Sequence, residues 1–185
     1  MLDGSSFTTK RAYEALSTQL QIPQLEFVWK SFVLQKVKVF GRLLSLDRLN
    51  TRENLMKKTI VATSACPRCG LHVETRDHLF FLCSYAREVW EKINIQPSFH
   101  PFGDFWSSTI PQGLHSSVWP SLGLMILWKI WDARNAMVFR TIDQSSYVTI
   151  SKIVDDATLW MNRCKNLEQK GHAGLWRDYL SSHRM

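Results

Sequence analysis

Cys66-Pro67-Arg68-Cys69-Gly70, followed by His78-Leu79-Phe80-Phe81-Leu82-Cys83, sets three sulfurs and one imidazole in the spacing C-x2-C-x8-H-x4-C. Two cysteines two residues apart and followed by glycine predict a tight knuckle, in which backbone N–H groups point at the sulfurs. A histidine and a cysteine five apart close such a site from a turn or a short helix. Thiolate and imidazole are the donors zinc prefers, and four protein ligands leave no position open for water or substrate. The pattern predicts one structural Zn2+ on Cys66, Cys69, His78 and Cys83, and no hydrolytic chemistry. His72 lies in the same loop, but only three residues past Cys69 it is too close to wrap back onto a metal, so His78 is the preferred imidazole. Three thiolates around a dication leave one net negative charge, which Arg68 and Arg76 stand near enough in sequence to offset. Cys164, alone in a helical pattern, reads as a small core residue.

Outward from this stretch the periodicity is helical. Ser84 is placed to cap a helix carrying Ala86, Val89, Trp90 and Ile93 on one side, against the metal site. Phe80 and Phe81, set between two ligands, are expected to bury against Trp90, while Glu74 and Asp77 read as surface residues of the loop. Upstream, Thr8 or Thr9 caps a helix through Leu20 that Pro23 ends. From Phe27 to Leu49 the set Val33, Val37, Phe40 and Leu44 predicts one helix, with Val39, Leu43 and Leu46 widening its buried stripe. A further helix is expected over Thr51–Lys58, with Thr51 as N-cap and Glu53 in its first turn.

Residues 94–117 hold Pro97, Pro101, Gly103, Pro111 and Gly113, a composition that marks a loop or linker. Beyond it, Val118–Arg140 and Ser145–Lys170 read as an antiparallel helical pair, with Leu124, Leu127, Trp128 and Trp131 on the buried side of the first. No segment alternates strongly enough to demand a sheet. The fold expected is therefore mainly α: a zinc-knuckle helical domain over residues 1–95, a linker over 96–117, and a C-terminal helical region over 118–185.

With 185 residues, eight Trp and ten Phe, the chain has the apolar content of a globular protein. Its longest apolar stretch, Val118 to Trp128, is about half the length of a membrane span and is broken by Pro120 and Gly123. The first residues lack a basic segment followed by an apolar run, so no secretion signal is expected. An intracellular site, nuclear or cytoplasmic, follows as the expectation, and in a reducing compartment four cysteines point to metal before disulfide. Net charge is +7, and residues 1–60 carry ten Lys/Arg against five Asp/Glu. Lys36, Lys38, Arg42, Arg48, Arg52, Lys57 and Lys58 concentrate that surplus in one segment, a density suited to the phosphates of RNA or DNA. The chain has no aromatic-x-Asp-Asp hairpin between strands. Asp155-Asp156 falls in a helical pattern and reads as solvent-facing acid, so no catalytic residues are assigned.

The same landmarks, in order, carry a resemblance. Phe7-Thr8-Thr9-Lys10-Arg11-Ala12-Tyr13, Val28-Trp29-Lys30, Lys36-Val37-Lys38-Val39-Phe40, Arg48-Leu49-Asn50-Thr51-Arg52-Glu53-Asn54-Leu55, Cys66-Pro67-Arg68-Cys69, Asp77 to Cys83 and Ala86-Arg87-Glu88-Val89-Trp90 closely resemble the reverse transcriptase zinc-binding domain of plant LINE-like (non-LTR) retrotransposons. Trp128 to Phe139 is similar to the helical tail that follows that domain. The resemblance implies zinc on the four ligands above, a place downstream of a polymerase in a polyprotein that copies RNA at nicked DNA, and a reverse transcriptase core as a partner. Leu34-Gln35 stands where the family has proline, and Gly41-Arg42 where it has a tryptophan. The function expected is non-specific RNA or DNA binding by a structural-zinc module. Two other readings fit the same residues: a protein-interaction domain docking on a polymerase through its Trp-rich C-terminal helices, and a remnant without function.

Overall fold

The stripe Val33, Val37, Phe40 and Leu44 is buried as its spacing predicts, but it is not carried on one continuous helix. Helix α1 covers Gln24–Lys30 and α2 covers Gln35–Ser45. Between them Ser31 Oγ donates to the Val28 carbonyl at 2.6 Å, Phe32 N–H donates to Ser121 Oγ at 3.0 Å, and Leu34 is extended. A hydroxyl that competes for a helical carbonyl gives the backbone an alternative to the ladder, and here the alternative wins because it turns Phe32 toward Met125 and Trp160. Val39 and Leu43, expected to widen the stripe, are 48% and 37% exposed. Helix α3 (Arg52–Lys57) starts where expected, with Thr51 Oγ1 accepting from Asn54 N–H at 3.3 Å.

The computed structural model describes residues 24–100, 102–164 and 166–183, so the helix expected between Thr8 and Leu20 lies outside the described residues. Within them the chain is mainly helical, as expected, with one isolated antiparallel bridge, Ala65 to Val73, and no strand. Helix α4 (Ser84–Lys92) follows the cysteine region, and α5 (Trp119–Arg140), α6 (Ser146–Met161) and α7 (Leu167–Ser182) complete the chain.

Helix α5 organises the rest. Trp119, Ile130 and every residue from Ser121 to Leu127 are buried, so its first half is enclosed on all sides, as an apolar helix with little amphipathicity must be. Each large side chain contributes about 1.5–3 kcal/mol on burial, which makes this helix the main apolar element of the core. It packs on α1, α2, α6 and the turn around His78–Leu82. Gly123 also lets the Phe105 ring come close: a Cβ there would lie 2.8 Å from it. Among the described residues no helix is long and apolar enough to cross a membrane.

Two expectations change here. The stretch 96–117, read as a linker, threads through the core. Its 3-10 turn Phe102–Ser107 buries Phe102, Phe105 and Trp106, and Trp119 Nε1 donates to the Phe105 carbonyl at 2.9 Å. Proline and glycine interrupt regular structure without preventing aromatic burial, and a single apolar cluster runs from Val28 to Leu180. The helix expected over Ser145–Lys170 is two. It stops at Met161, and Asn166 Oδ1 accepts from Gln169 N–H at 2.6 Å to cap α7. Helix α7 buries Ala173, Trp176 and Leu180, so the expected C-terminal pair is a trio. Trp119, Trp160 and Trp176 face inward, whereas Trp128 and Trp131 on α5 are half-buried.

Candidate metal centre

The knuckle forms as the C-x2-C-G spacing dictates. Gly70 N–H donates to the Cys66 carbonyl at 2.8 Å, and Gly70 takes φ +67°, a left-handed conformation that glycine adopts without a Cβ clash. The amides of Cys69 and Arg68 donate to the Cys66 sulfur. Across the site, His78–Leu82 forms a single π turn, closed by Cys83 N–H on the His78 carbonyl at 2.7 Å. That wider turn, a form common at functional sites, brings residues five apart onto one side. Phe80 and Phe81 fill the interior behind it, as expected. Trp90 stacks on Phe81 at 6.2 Å, and its Nε1 donates to the Phe80 carbonyl at 2.8 Å.

Cys66 Sγ, Cys69 Sγ, Cys83 Sγ and a His78 ring nitrogen all lie within 4.8 Å of one another. Cys66 and Cys83 sulfurs are 4.0 Å apart, far beyond a disulfide bond, and Cys69 Sγ is 3.4 Å from His78 Nε2. Ligands at Zn–S distances of about 2.3 Å in a tetrahedron are about 3.8 Å apart, so the four donors fit zinc in number, type and spacing. Burial holds the His78 imidazole below the ordinary histidine range and His72 adds repulsion, both of which favour the neutral, ligating form. The hydrogen bond with Cys66 brings the Cys83 thiol down to about 7 and pushes Cys66 up. His72 does not join the group. Its ring centroid stands 5.4 Å from that of His78, and its carbonyl accepts from Cys66 N–H. Cys164 is likewise outside it, half-buried against the core.

Residues 7–90 match the family described as zinc-binding in reverse transcriptase. That match supports a reverse transcriptase zinc-binding domain over the span, and together with the cluster it assigns the protein one zinc ion. The family is one of metal binding and not of polymerisation. No curated protein and no solved structure matches the chain.

The matched domain is tied to helices beyond residue 90 by two charged side chains of the zinc loop. Glu74, read from sequence as a surface residue, is fully buried. Its carboxylate takes a fork from Arg134 on α5, Nη2 to Oε1 at 2.6 Å and Nε to Oε2 at 3.2 Å, and accepts from Arg52 N–H at 2.8 Å. The correction has a physical cause: a carboxylate stays ionised in a core only with such a complement, and no local pattern announces a partner sixty residues away. The one sequence signal is Arg134 itself, a charge four and seven residues beyond the buried Ile130 and Leu127, on the inward stripe of α5. Arg68 lies flat over Tyr85 at 3.4 Å and donates to Asp143 Oδ1 at 2.7 Å and the Gln144 carbonyl at 3.1 Å. Arg76 pairs with Asp77 at 2.9 Å. Both arginines thus have carboxylate partners of their own.

The seven basic residues read as a phosphate-binding segment differ in their partners. Lys57 pairs with Glu53 at 3.0 Å, Lys58 reaches Asn50 Oδ1 at 3.3 Å, and Lys38 donates to the Trp29 carbonyl at 2.7 Å. Lys36 lies over the Trp128 ring at 5.7 Å. Arg42 and Arg48 are exposed and have no carboxylate partner among the described residues, and Arg52 is half-buried. Asp156, of the Asp155-Asp156 pair, is half-buried and bridged to Lys129 at 2.7 Å.

Proposed function

We propose that this chain is the non-catalytic structural-zinc module of a LINE-like retrotransposon polyprotein of plant type, with Cys66, Cys69, His78 and Cys83 as its ligands. On this reading it binds RNA or DNA without sequence selectivity, through the segment Lys36, Lys38, Arg42, Arg48, Arg52, Lys57 and Lys58. The single observation that carries the proposal is the convergence of four zinc-type donors inside a span that matches a zinc-binding family. A closed ligand set orders a fold and offers no site for substrate, which supports a structural role. Net charge of +7 and the exposed Arg42 and Arg48, which have no carboxylate partner among the described residues, supply the electrostatic part, since phosphate contacts release counterions and are not read as sequence.

The test is metal analysis of the purified full chain together with binding to single- and double-stranded RNA and DNA at two salt concentrations. One zinc per chain is expected, with affinity falling steeply as salt rises and little difference among sequences. A metal-free chain that is fully folded removes the structural part. Affinity that ignores salt, or no affinity at all, removes the nucleic-acid part and leaves docking on a reverse transcriptase core as the remaining role.

A further inference from the structure

A groove of about 230 Å³ runs between α2, the chain after it and α5. Trp128 and Trp131, both half-buried, form its floor. Val39 and Leu43 stand exposed on one wall, and Lys36, Arg48 and Asn50 stand at the rim. No carboxylate lines it. The floor is rigid: Phe40 meets the Trp128 ring edge-on at 5.3 Å, and Arg134, itself locked to Glu74, lies 5.0 Å from the Trp131 ring. Val39 and Leu43, at 48% and 37% exposure, extend the indole floor as an apolar surface beside Lys36 and Arg48.

We infer that this groove is a stacking site for unpaired bases of a single-stranded nucleic acid. The deduction rests on the nucleic-acid reading above and narrows it to one strand form and one set of residues. Indole faces accept any base by stacking, and flanking cations hold the backbone, the combination by which proteins bind single strands. The two cations at the rim select an anionic ligand and disfavour a basic peptide. Duplex is disfavoured because its bases are stacked on each other and present only their edges. Asn50 adds a base-edge contact: its Oδ1 accepts from Lys58, which leaves the amide N–H groups free to donate. Two of these residues, Trp128 and Trp131, lie outside the matched span 7–90, so the site exists only when α5 is folded onto it.

The experiment compares full-chain binding to three ligands with the same number of phosphates: a single-stranded pyrimidine oligomer, the same oligomer with abasic positions, and a duplex of half its length. Running the single strand in ribose and deoxyribose form tells which backbone the rim prefers. The base-containing single strand is expected to bind about tenfold or more tightly than the abasic one, the size of one stacked base. Trp128→Leu should lower it to the abasic value. Arg48→Gln, at an exposed residue without a partner, keeps the fold and should weaken all three ligands alike. Equal affinity for the base-containing and abasic strands, or an unaffected Trp128→Leu variant, overturns the groove while leaving phosphate binding intact. No affinity for any of the three overturns both.

Discussion

The loop from Ile60 to Cys83 and the helix from Trp119 to Arg140 are ordered by opposite means. In the loop Ile60 and Leu71 are 63% and 82% exposed, regular structure is limited to one bridge and one π turn, and apart from Leu79, Phe80 and Phe81 in that turn its inward groups are three cysteines and a histidine, a glutamate, and an arginine. Helix α5 buries seven large apolar side chains, Trp119, Leu122, Leu124 to Leu127 and Ile130, and needs no ligand. The difference teaches where stability resides. A segment whose apolar burial is confined to one turn depends on its ligands and ion pairs for the rest of its shape, whereas a helix enclosed by hydrophobic neighbours is held by the hydrophobic effect.

The largest effect expected is from removing a ligand. Cys66→Ser should lose zinc by more than about 100-fold in affinity, beyond what changes to outer partners cause, and unfold residues 66–95. Hydrogen exchange should show that region open while amides of α5 stay protected; equal loss in both would erase the contrast. Acid should push the same way. The folded pKa of His78 lies below its ordinary 6.5, so its neutral ligating form is complete above that value and is lost only as pH falls further. A zinc indicator should therefore report retention at neutral pH and release only as pH falls below the ordinary histidine range.

Next in size is the tie between the two regions. Arg134→Ala strands the buried Glu74 carboxylate and should cost about 3–5 kcal/mol, read from a shifted urea midpoint at unchanged slope. Adding Glu74→Gln to that variant should recover much of the loss, and failure to recover any would mean that the fork is not what holds the loop to α5. Gly123→Ala acts on the helix alone. A methyl 2.8 Å from the Phe105 ring should cost about 1–3 kcal/mol and leave zinc content unchanged. The smallest change is Thr51→Ala, the cap of α3, at about 1 kcal/mol in thermal or chemical denaturation.

The four ligand positions, the closure of the site by a turn or short helix between His78 and Cys83, and the stripe Val33, Val37, Phe40 and Leu44 were all legible in the chain, because each depends on a spacing of a few residues. The burial of Phe80 and Phe81 was legible for the same reason. The break at Ser31 was not, since the hydroxyl of Ser121 that helps to fix it comes from another helix. Nor was the core role of Phe102, Phe105 and Trp106, which sit among prolines and glycines that announce only irregular backbone.

By itself, then, the order of residues settled the donor set, the helical class and the sign of the charge, which follow from local geometry and from composition. Packing alone decided that Glu74 is an interior anion, that Arg68 reaches Asp143, and that Trp128 and Trp131 floor a basic groove. Those contacts join residues far apart in the chain. Their free energy depends on which surfaces meet after burial, a quantity that no spacing along the backbone encodes.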